Sequence, residues 1–177
     1  STFKSHAFVD CSSLTRIELH ENLLNIEPYC FSRSGLQTIT IPEQIDVIED
    51  HLFVSCQRLS SVIFKGNLTT IKSYAFSNCT SLTTIELPES LISINPYCFS
   101  ESGLQTITFS EQIDVIEKYL FYSCPNLNSI KYNDNTTTTK SYAFYNCTSL
   151  NSIELQDSAS LIEEYAFSYS NIETIEI

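Results

Sequence analysis

The chain has 177 residues, a formal net charge of −12 and 42% apolar residues, which is enough to bury the core of one folded domain. The acidic balance argues against nucleic-acid binding, which needs a basic surface, and against contact with anionic membranes. The sequence contains no run of 18 apolar residues that could form a transmembrane helix.

One apolar pattern recurs along the whole chain at intervals of 22 or 23 residues. We number the units 1 to 8 by the phenylalanine that each contains, at Phe8, Phe31, Phe53, Phe76, Phe99, Phe121, Phe144 and Phe167. A unit of this length cannot bury its own apolar face, whereas stacked units share one continuous core. The period therefore predicts a solenoid of about eight units.

In chain order, each unit predicts a turn followed by a strand. The Tyr-Ala-Phe-x-x-Cys stretch is too short for a full helix, so we expect a short helical or 3₁₀ turn there. The Leu-x-x-Ile-x-Leu stretch that follows ends in strict alternation, which predicts a strand with its Ile and Leu pointing inward. Strands of successive units then lie parallel, about 4.8 Å apart.

A longer repeat of three units is superimposed on the short one. The stretch PYCFSRSGLQTITIPEQIDVIEDHLF at 28–53 returns as PYCFSESGLQTITFSEQIDVIEKYLF at 96–121. Likewise IKSYAFSNCTSLTTIEL at 71–87 returns as TKSYAFYNCTSLNSIEL at 139–155. A solenoid tolerates such copying of blocks because each unit contacts only its neighbours.

The stretch IKSYAFSNCTSLTTIELPESLISI and its copies resemble the BspA-like, or treponemal-type, leucine-rich repeats over essentially the whole chain. The resemblance implies an α/β solenoid in which residues 1–177 form a single domain. It implies a right-handed superhelix with a parallel sheet on the concave face and short helical or 3₁₀ turns on the opposite side. It also implies a surface protein that adheres to host cells or matrix proteins.

The seven cysteines follow the repeat. Five stand three residues after the phenylalanine and two stand just before it: Cys11, Cys56, Cys79, Cys124 and Cys147, then Cys30 and Cys98. Free cysteine packs as a small apolar residue, so we expect a ladder of buried thiols. If disulfides form, Cys56–Cys79 and Cys124–Cys147 are the pairs within reach. No Cys-x-x-Cys pair points to zinc or redox chemistry.

Nothing in the sequence predicts an enzyme, a cofactor or a metal site. His6 and His51 stand where the other units carry tyrosine, and His20 lies in a turn. The chain has only three glycines and no Gly-x-Ser-x-Gly or phosphate-binding loop.

Two further features remain open at the level of sequence. N-glycosylation sequons occur at Asn67, Asn78, Asn135 and Asn146, and the sequence does not decide whether any carries glycan. The stretch GNLTTI at 66–71 becomes DNTTTT at 134–139, which places Thr136 and Thr139 at core positions. A buried hydroxyl without a partner costs about 1–3 kcal/mol, so we expect 134–139 to be locally loose.

The outward residues of the predicted strands form the candidate binding surface. They are Arg16, Glu18, Thr38, Thr40, Ser61, Ile63, Thr84, Glu86, Thr106, Thr108, Ser129, Lys131, Ser152 and Glu154. Threonine also suits exposed strands, so these hydroxyls alone do not require a ligand. The set lacks the aromatic and arginine anchors of a tight protein interface, and weak contacts strengthened by avidity suit it better.

The repeat pattern predicts a non-catalytic protein-binding module, and the family resemblance implies a cell-surface or extracellular one that adheres to a host cell-surface or matrix protein. Neither nucleic acid nor membrane is an expected partner of this segment. Two alternatives stay open: a spacer that presents another domain, and an intracellular interaction scaffold. The chain begins and ends within repeats without polar caps, so we expect a segment of a longer protein and end-to-end self-association through the terminal repeats.

Overall fold

The computed structural model describes residues 1–176 as a solenoid of parallel strands and turns. The strands are β1 (Thr2–Phe3), β2 (Asn25–Ile26), β3 (Thr38–Ile41), β4 (Val47–Ile48), β5 (Ser61–Phe64), β6 (Thr70–Ile71), β7 (Ser93–Ile94), β8 (Thr106–Thr108), β9 (Val115–Ile116), β10 (Ser129–Lys131), β11 (Thr138–Thr139), β12 (Ser152–Glu154), β13 (Leu161–Ile162) and β14 (Thr174–Glu176). They form two rows along a stack of about eight turns, so the predicted solenoid is confirmed.

The longer strands form the row predicted from Leu-x-x-Ile-x-Leu, which we call the strand face. β3 pairs with β5, β8 with β10 and β12 with β14, all in parallel. Equivalent residues of neighbouring units lie opposite each other, as Ile39 lies opposite Val62, and both of these side chains are buried. The inward orientation predicted for the middle residue of the strand is thus confirmed for this pair.

The two-residue strands form a second row that the sequence analysis did not predict. β1 pairs with β2, β6 lies between β4 and β7, and β11 lies between β9 and β13. Each strand of this row ends at the apolar or threonine residue five positions before the phenylalanine, such as the buried Ile71. Two residues are too few to show an alternating pattern, so only the buried residue was recognisable.

The segment around each phenylalanine is a run of turns, and residues 1–176 contain no helix. Two residues of each segment adopt the left-handed conformation, as Tyr74 (φ 58°) and Asn78 (φ 56°) do in unit 4. These residues interrupt any helix, which explains why the expected helical or 3₁₀ turn does not form. Their neighbours bond to the next unit instead: the Phe76 N–H donates to the Cys98 carbonyl at 2.9 Å.

Two aromatic columns run along the stack. The phenylalanines that number the units stack at centroid distances of 5.1 to 5.8 Å, and the six central ones are fully buried. An outer column stacks at 4.4 to 5.0 Å and consists of His6, Tyr29, His51, Tyr74, Tyr97, Tyr119, Tyr142 and Tyr165. The two histidines therefore take tyrosine positions, as predicted.

The predicted ladder of free thiols is also confirmed. All seven cysteines are unbonded to one another, and all except the half-buried Cys11 are buried. The Cys56 thiol donates to the Phe31 carbonyl of the preceding unit at 3.0 Å, and the Cys124 thiol donates to Phe99 in the same way. Burial raises the pKa of the Cys124 thiol to about 11, which keeps it protonated at neutral pH.

Glycine stands where unit 5 is one residue shorter than unit 4. Unit 5 has four residues between Phe99 and Leu104, whereas unit 4 has five between the corresponding residues. The shortening brings Gly103 against the preceding unit, where its N–H donates to the Cys79 carbonyl at 3.1 Å. A Cβ atom on Gly103 would lie 2.1 Å from the Thr80 carbonyl oxygen.

The threonine-rich stretch of unit 6 replaces apolar packing with a small polar network. The Thr136 hydroxyl donates to the Ile113 carbonyl at 3.2 Å, and the Asn133 amide donates to the same carbonyl at 2.9 Å. The buried Tyr132 hydroxyl faces Thr139 and finds no hydrogen-bond partner of ordinary geometry, and burial raises its pKa. The local looseness expected at 134–139 stays a prediction. The Thr136 hydroxyl was expected to lack a hydrogen-bond partner, but it has one.

We predict that Gly103→Ala lowers the free energy of unfolding by about 2–4 kcal/mol, because backbone rather than a flexible side chain occupies the space of the new methyl group. Urea denaturation followed by circular dichroism measures the change. Asn171 holds the equivalent position in unit 8 and is exposed, so Asn171→Ala should cost much less. Equal stability of Gly103→Ala and the parent would show that the two units can separate freely.

We predict that the double variant Tyr132→Phe, Thr139→Ile is more stable than the parent by about 1–3 kcal/mol. The change gives unit 6 the residues that unit 3 has at the equivalent positions, Phe64 and Ile71. It also removes a buried hydroxyl that lacks a hydrogen-bond partner. The reverse exchange in unit 3, Phe64→Tyr with Ile71→Thr, should destabilise the chain by a similar amount. If the unit 6 variant loses stability in urea denaturation, the polar network is stabilising and the prediction is wrong.

We predict that His51 lowers the free energy of unfolding of the chain in mild acid. Burial between Tyr29 and Tyr74 lowers its pKa, although Asp50 opposes the shift, so the unfolded chain binds the proton more readily. Stability should then fall as the pH drops below the unfolded value of about 6.5. Thermal unfolding of His51→Tyr should show a stability advantage that grows from pH 7.5 to pH 5. An advantage that is constant with pH would contradict the assignment.

Candidate functional site

The structure places the predicted surface residues together on the strand face. Their side chains are exposed except for Thr40 and Ser61, which are half-buried. Between them, Ile107 and Ile153 point into the core and are buried. The exposed set is polar apart from Ile63, which is 55% exposed.

The strand face is interrupted, which the sequence analysis did not predict. Residues 14–19 and 82–87 have the Leu-x-x-Ile-x-Leu pattern but do not form strands. The Thr83 carbonyl still accepts from the Gln105 N–H at 2.9 Å, yet residues 84–87 take part in no backbone hydrogen bond with the described part of the chain. The prediction of one paired strand in every unit is therefore wrong for units 1 and 4.

A cleft opens beside each interruption. The cleft between units 1 and 2 has a volume of about 350 Å³, and the one between units 3 and 4 has about 430 Å³. The third, which we call the 4/5 cleft, lies between residues 84–89 and residues 106–112 and has about 680 Å³. The missing backbone pairing thus leaves open space directly on the candidate surface.

The clefts differ in charge. Arg16 donates to Glu18 at 2.7 Å in the cleft between units 1 and 2, and Lys65 also lines that cleft. In the 4/5 cleft the equivalent of Arg16 is Thr84, and the lining includes Glu86, Glu89 and Glu111 but no lysine or arginine. The 4/5 cleft is therefore the more electronegative of the two.

The carboxylates whose pKa is shifted lie away from the strand face. Hydrogen bonding from Arg33 lowers the pKa of Asp10, and hydrogen bonding from Lys4 lowers that of Glu27. Both pairs link neighbouring units, as do the half-buried pairs Lys72–Glu49 and Lys140–Glu117 at 2.7 and 2.6 Å. These ion pairs join one turn of the chain to the next, so a structural role explains them.

The described residues show no arrangement for metal binding or for crossing a membrane. Nowhere in residues 1–176 do three His, Cys, Asp or Glu side chains come together as a metal site. The same residues form no helix that is long and apolar enough to span a bilayer.

The four sequons occupy two kinds of position. Asn67 and Asn135 are exposed in the turns that follow β5 and β10. The Asn78 amide donates to the Ser55 hydroxyl at 3.1 Å, and Asn146 contacts Ser123 in the same way at 3.2 Å. The Asn135 amide also donates to the Glu111 carbonyl at 3.0 Å, so the amide groups of three of the four sequons already bond to the preceding unit.

Two residues of the 4/5 cleft were missed by the sequence analysis. Glu89 and Glu111 follow the alternating segments, and the search for outward residues stopped at the end of those segments. Their signal in the sequence is weak, because each stands in a polar turn where glutamate is common. Only the opening between units 4 and 5 brings them beside Glu86.

The family model described as BspA type leucine rich repeat region matches residues 1–102 and 69–177, in 6 copies. No curated protein gives a significant match.

Solved structures of bacterial leucine-rich repeat proteins share the fold. A protein of T. pallidum, TpLRR, is 22% identical with a TM-score of 0.68, over 92% of this chain and 66% of its own length. A protein of Bacteroides ovatus is 23% identical with a TM-score of 0.65, over 99% of this chain and 64% of its own. A leucine rich cell surface protein of Faecalibacterium prausnitzii is 21% identical with a TM-score of 0.57, over 99% and 69%.

The chain therefore spans about two thirds of the length of each of these proteins. At this identity the likeness concerns the fold alone. The family match, in contrast, extends over the whole sequence. The chain belongs to the BspA-type leucine-rich repeat family.

Proposed function

We propose that the chain is a non-catalytic protein-binding module that is displayed at the cell surface and attaches to host cell-surface or extracellular matrix proteins. The strand face is the surface that makes the contact. Leucine-rich repeats generally serve as protein-interaction modules, because a row of equivalent strands offers a broad, rigid surface. The attachment to a host protein goes beyond that general role.

One observation supports the strand face in particular. The hydroxyl groups of its outward residues, such as Thr38, Thr84 and Thr106, make no hydrogen bond to the described part of the chain. Elsewhere, hydroxyls commonly bond to the preceding unit: Ser60 donates to the Gln37 carbonyl and Ser81 donates to Gln57. The strand face thus presents donors and acceptors that the fold does not use.

The charge of this face favours weak contacts made many times. Glu18, Glu86 and Glu154 stand three units apart, so these three carboxylates do not lie beside one another, although Glu154 lies opposite Glu176. No exposed aromatic side chain stands among the outward residues to anchor a tight interface. Several copies displayed together would gain affinity through avidity, as adhesion requires.

Display at the cell surface is supported by the likeness of this chain to a solved structure. The F. prausnitzii protein is described as a cell surface protein, and this chain has the same fold. Glycan on Asn67 or Asn135, which are exposed, would support export of this chain.

A spacer that presents another domain is the second candidate. The uninterrupted aromatic columns favour it, since they make one continuous body along the stack. Such a spacer could also self-associate end to end through the exposed apolar side chains of the last units, Leu161, Ile162 and Ile175. The free thiols permit a third role as an intracellular scaffold.

We predict that the folded chain, clustered on beads, binds epithelial cells and immobilised matrix proteins in a saturable manner. A variant with Thr38, Ser129 and Ser152 changed to arginine should bind at least tenfold more weakly, because it disrupts the strand face outside the 4/5 cleft. Binding is measured by flow cytometry and by surface plasmon resonance.

The control variant carries arginine at Ser12, Thr80 and Thr148, which are exposed and lie in the turn segments. It adds the same charge and should bind as the parent does. Equal loss in both variants would show that charge alone matters, and no binding by the parent would favour the spacer.

A further inference from the structure

We propose that the 4/5 cleft binds an extended segment of a protein partner that carries lysine or arginine side chains. The inference rests on the proposed function, since it identifies the part of the strand face that holds the partner and the chemistry of the partner. Four features of the cleft support it: free backbone groups, an open volume, an apolar floor and uncompensated carboxylates.

The backbone of residues 84–87 is free to bond to a peptide. These residues lie between β5 of unit 3 and β8 of unit 5, yet they pair with neither strand. An extended peptide can add to such backbone as a further strand, with its main-chain groups supplying affinity. The free N–H and carbonyl groups of Ile85, Glu86 and Leu87 would gain the partners that the neighbouring units do not provide.

The cleft has the size and the floor that a peptide needs. Its volume of about 680 Å³ is the largest of the three on this face, and it lies within the usual range of ligand pockets. Ile85 and Phe109 are buried in its lining and Leu87 is half-buried. Alternate side chains of an extended peptide would therefore meet an apolar surface, while the others point away from it.

The carboxylates define the charge of the partner. Glu86, Glu89 and Glu111 are all exposed in the lining, which contains no basic side chain. A peptide with lysine or arginine would neutralise them, whereas an acidic peptide would be repelled. A second copy of this chain is a poor occupant for the same reason, because each copy carries a net charge of −12.

The chain contains its own comparison site. The cleft between units 1 and 2 has the same residues at most positions, with Ile17, Glu18 and Glu21 in place of Ile85, Glu86 and Glu89. There Arg16 pairs with Glu18, Lys65 adds a second positive charge, and the volume is about half as large. In the cleft between units 1 and 2, basic side chains of the chain itself thus neutralise the carboxylates, a role that we assign to the partner in the 4/5 cleft.

The test uses a fluorescent peptide of four Lys-Val repeats, which presents its lysines on one face when extended. We expect saturable binding to the whole chain by fluorescence anisotropy, and no binding of the matching Glu-Val peptide. Two further versions are N-methylated at every lysine or at every valine, and each therefore blocks one edge of the extended peptide. One of these two versions should bind at least tenfold more weakly.

Hydrogen exchange locates the peptide on the chain. The amides of residues 84–87 have no backbone partner in the free chain, so they should exchange quickly and become protected when the peptide binds. The corresponding amides of residues 16–19 should not change.

The decisive variant is Thr84→Arg, which copies the Arg16–Glu18 pair into the 4/5 cleft. It should weaken peptide binding at least tenfold, whereas Ser12→Arg, which adds the same charge in a turn segment, should leave it within twofold. Undiminished binding by Thr84→Arg, equal binding of all the peptides, or no binding of the Lys-Val peptide at millimolar concentration would each overturn the inference.

The same variant separates this inference from the proposed function. If Thr84→Arg still attaches to cells while the variant at Thr38, Ser129 and Ser152 does not, the strand face binds the partner but the 4/5 cleft does not. If the parent attaches to no cell or matrix protein, the proposed function fails, and the peptide titration still decides whether the cleft is a site for basic peptides.

Discussion

The left-handed residues of the turn segments are the constraint on which the stack depends. An ordinary side chain in this conformation costs about 1–2 kcal/mol, and each unit contains two such residues. The conformation aims the backbone N–H groups along the axis, where they donate to the next unit, as Phe53 does to Ala75 at 2.9 Å. Ring stacking in the outer column offsets part of the cost, at about 0.5–1.5 kcal/mol for each pair.

The strand face, in contrast to the turn segments, is joined only in part. The outer column holds successive units 4.4 to 5.0 Å apart, and the Phe column, deeper in the molecule, holds them 5.1 to 5.8 Å apart. Stacked rings thus join each unit to the next along the turn segments. Pairing on the strand face is only partial: β5 and β8 have no paired strand between them, and the clefts lie there.

Much of the fold was predictable because the same pattern of apolar residues occurs in all eight units of the sequence. The Phe column, the thiol ladder and the tyrosine-like positions of His6 and His51 all follow from comparing one unit with the next. The turn conformation was not predictable in the same way, because tyrosine is not a residue that usually signals a positive φ. Its regular recurrence two residues before the phenylalanine identifies a constrained position but not which conformation is imposed.

The candidate site was predictable only in part, for a similar reason. The outward residues follow from alternation along the strand, which is a local property. The interruption at 84–87 is not local: TTIEL reads as a strand as clearly as QTITF does, and only the paired or unpaired state of the neighbouring units separates them. Glu89 and Glu111 belong to the site because the units diverge there, and no single unit shows that.

The bonds between units determine how the stack responds to tension. They lie along the axis of the stack, so tension applied to its ends passes through every junction in series, and the weakest junction separates first. Detaching one unit would release 22 or 23 residues, or about 75–80 Å of extended chain. Such a stack yields in steps under tension, and its units can stack again when the tension ends.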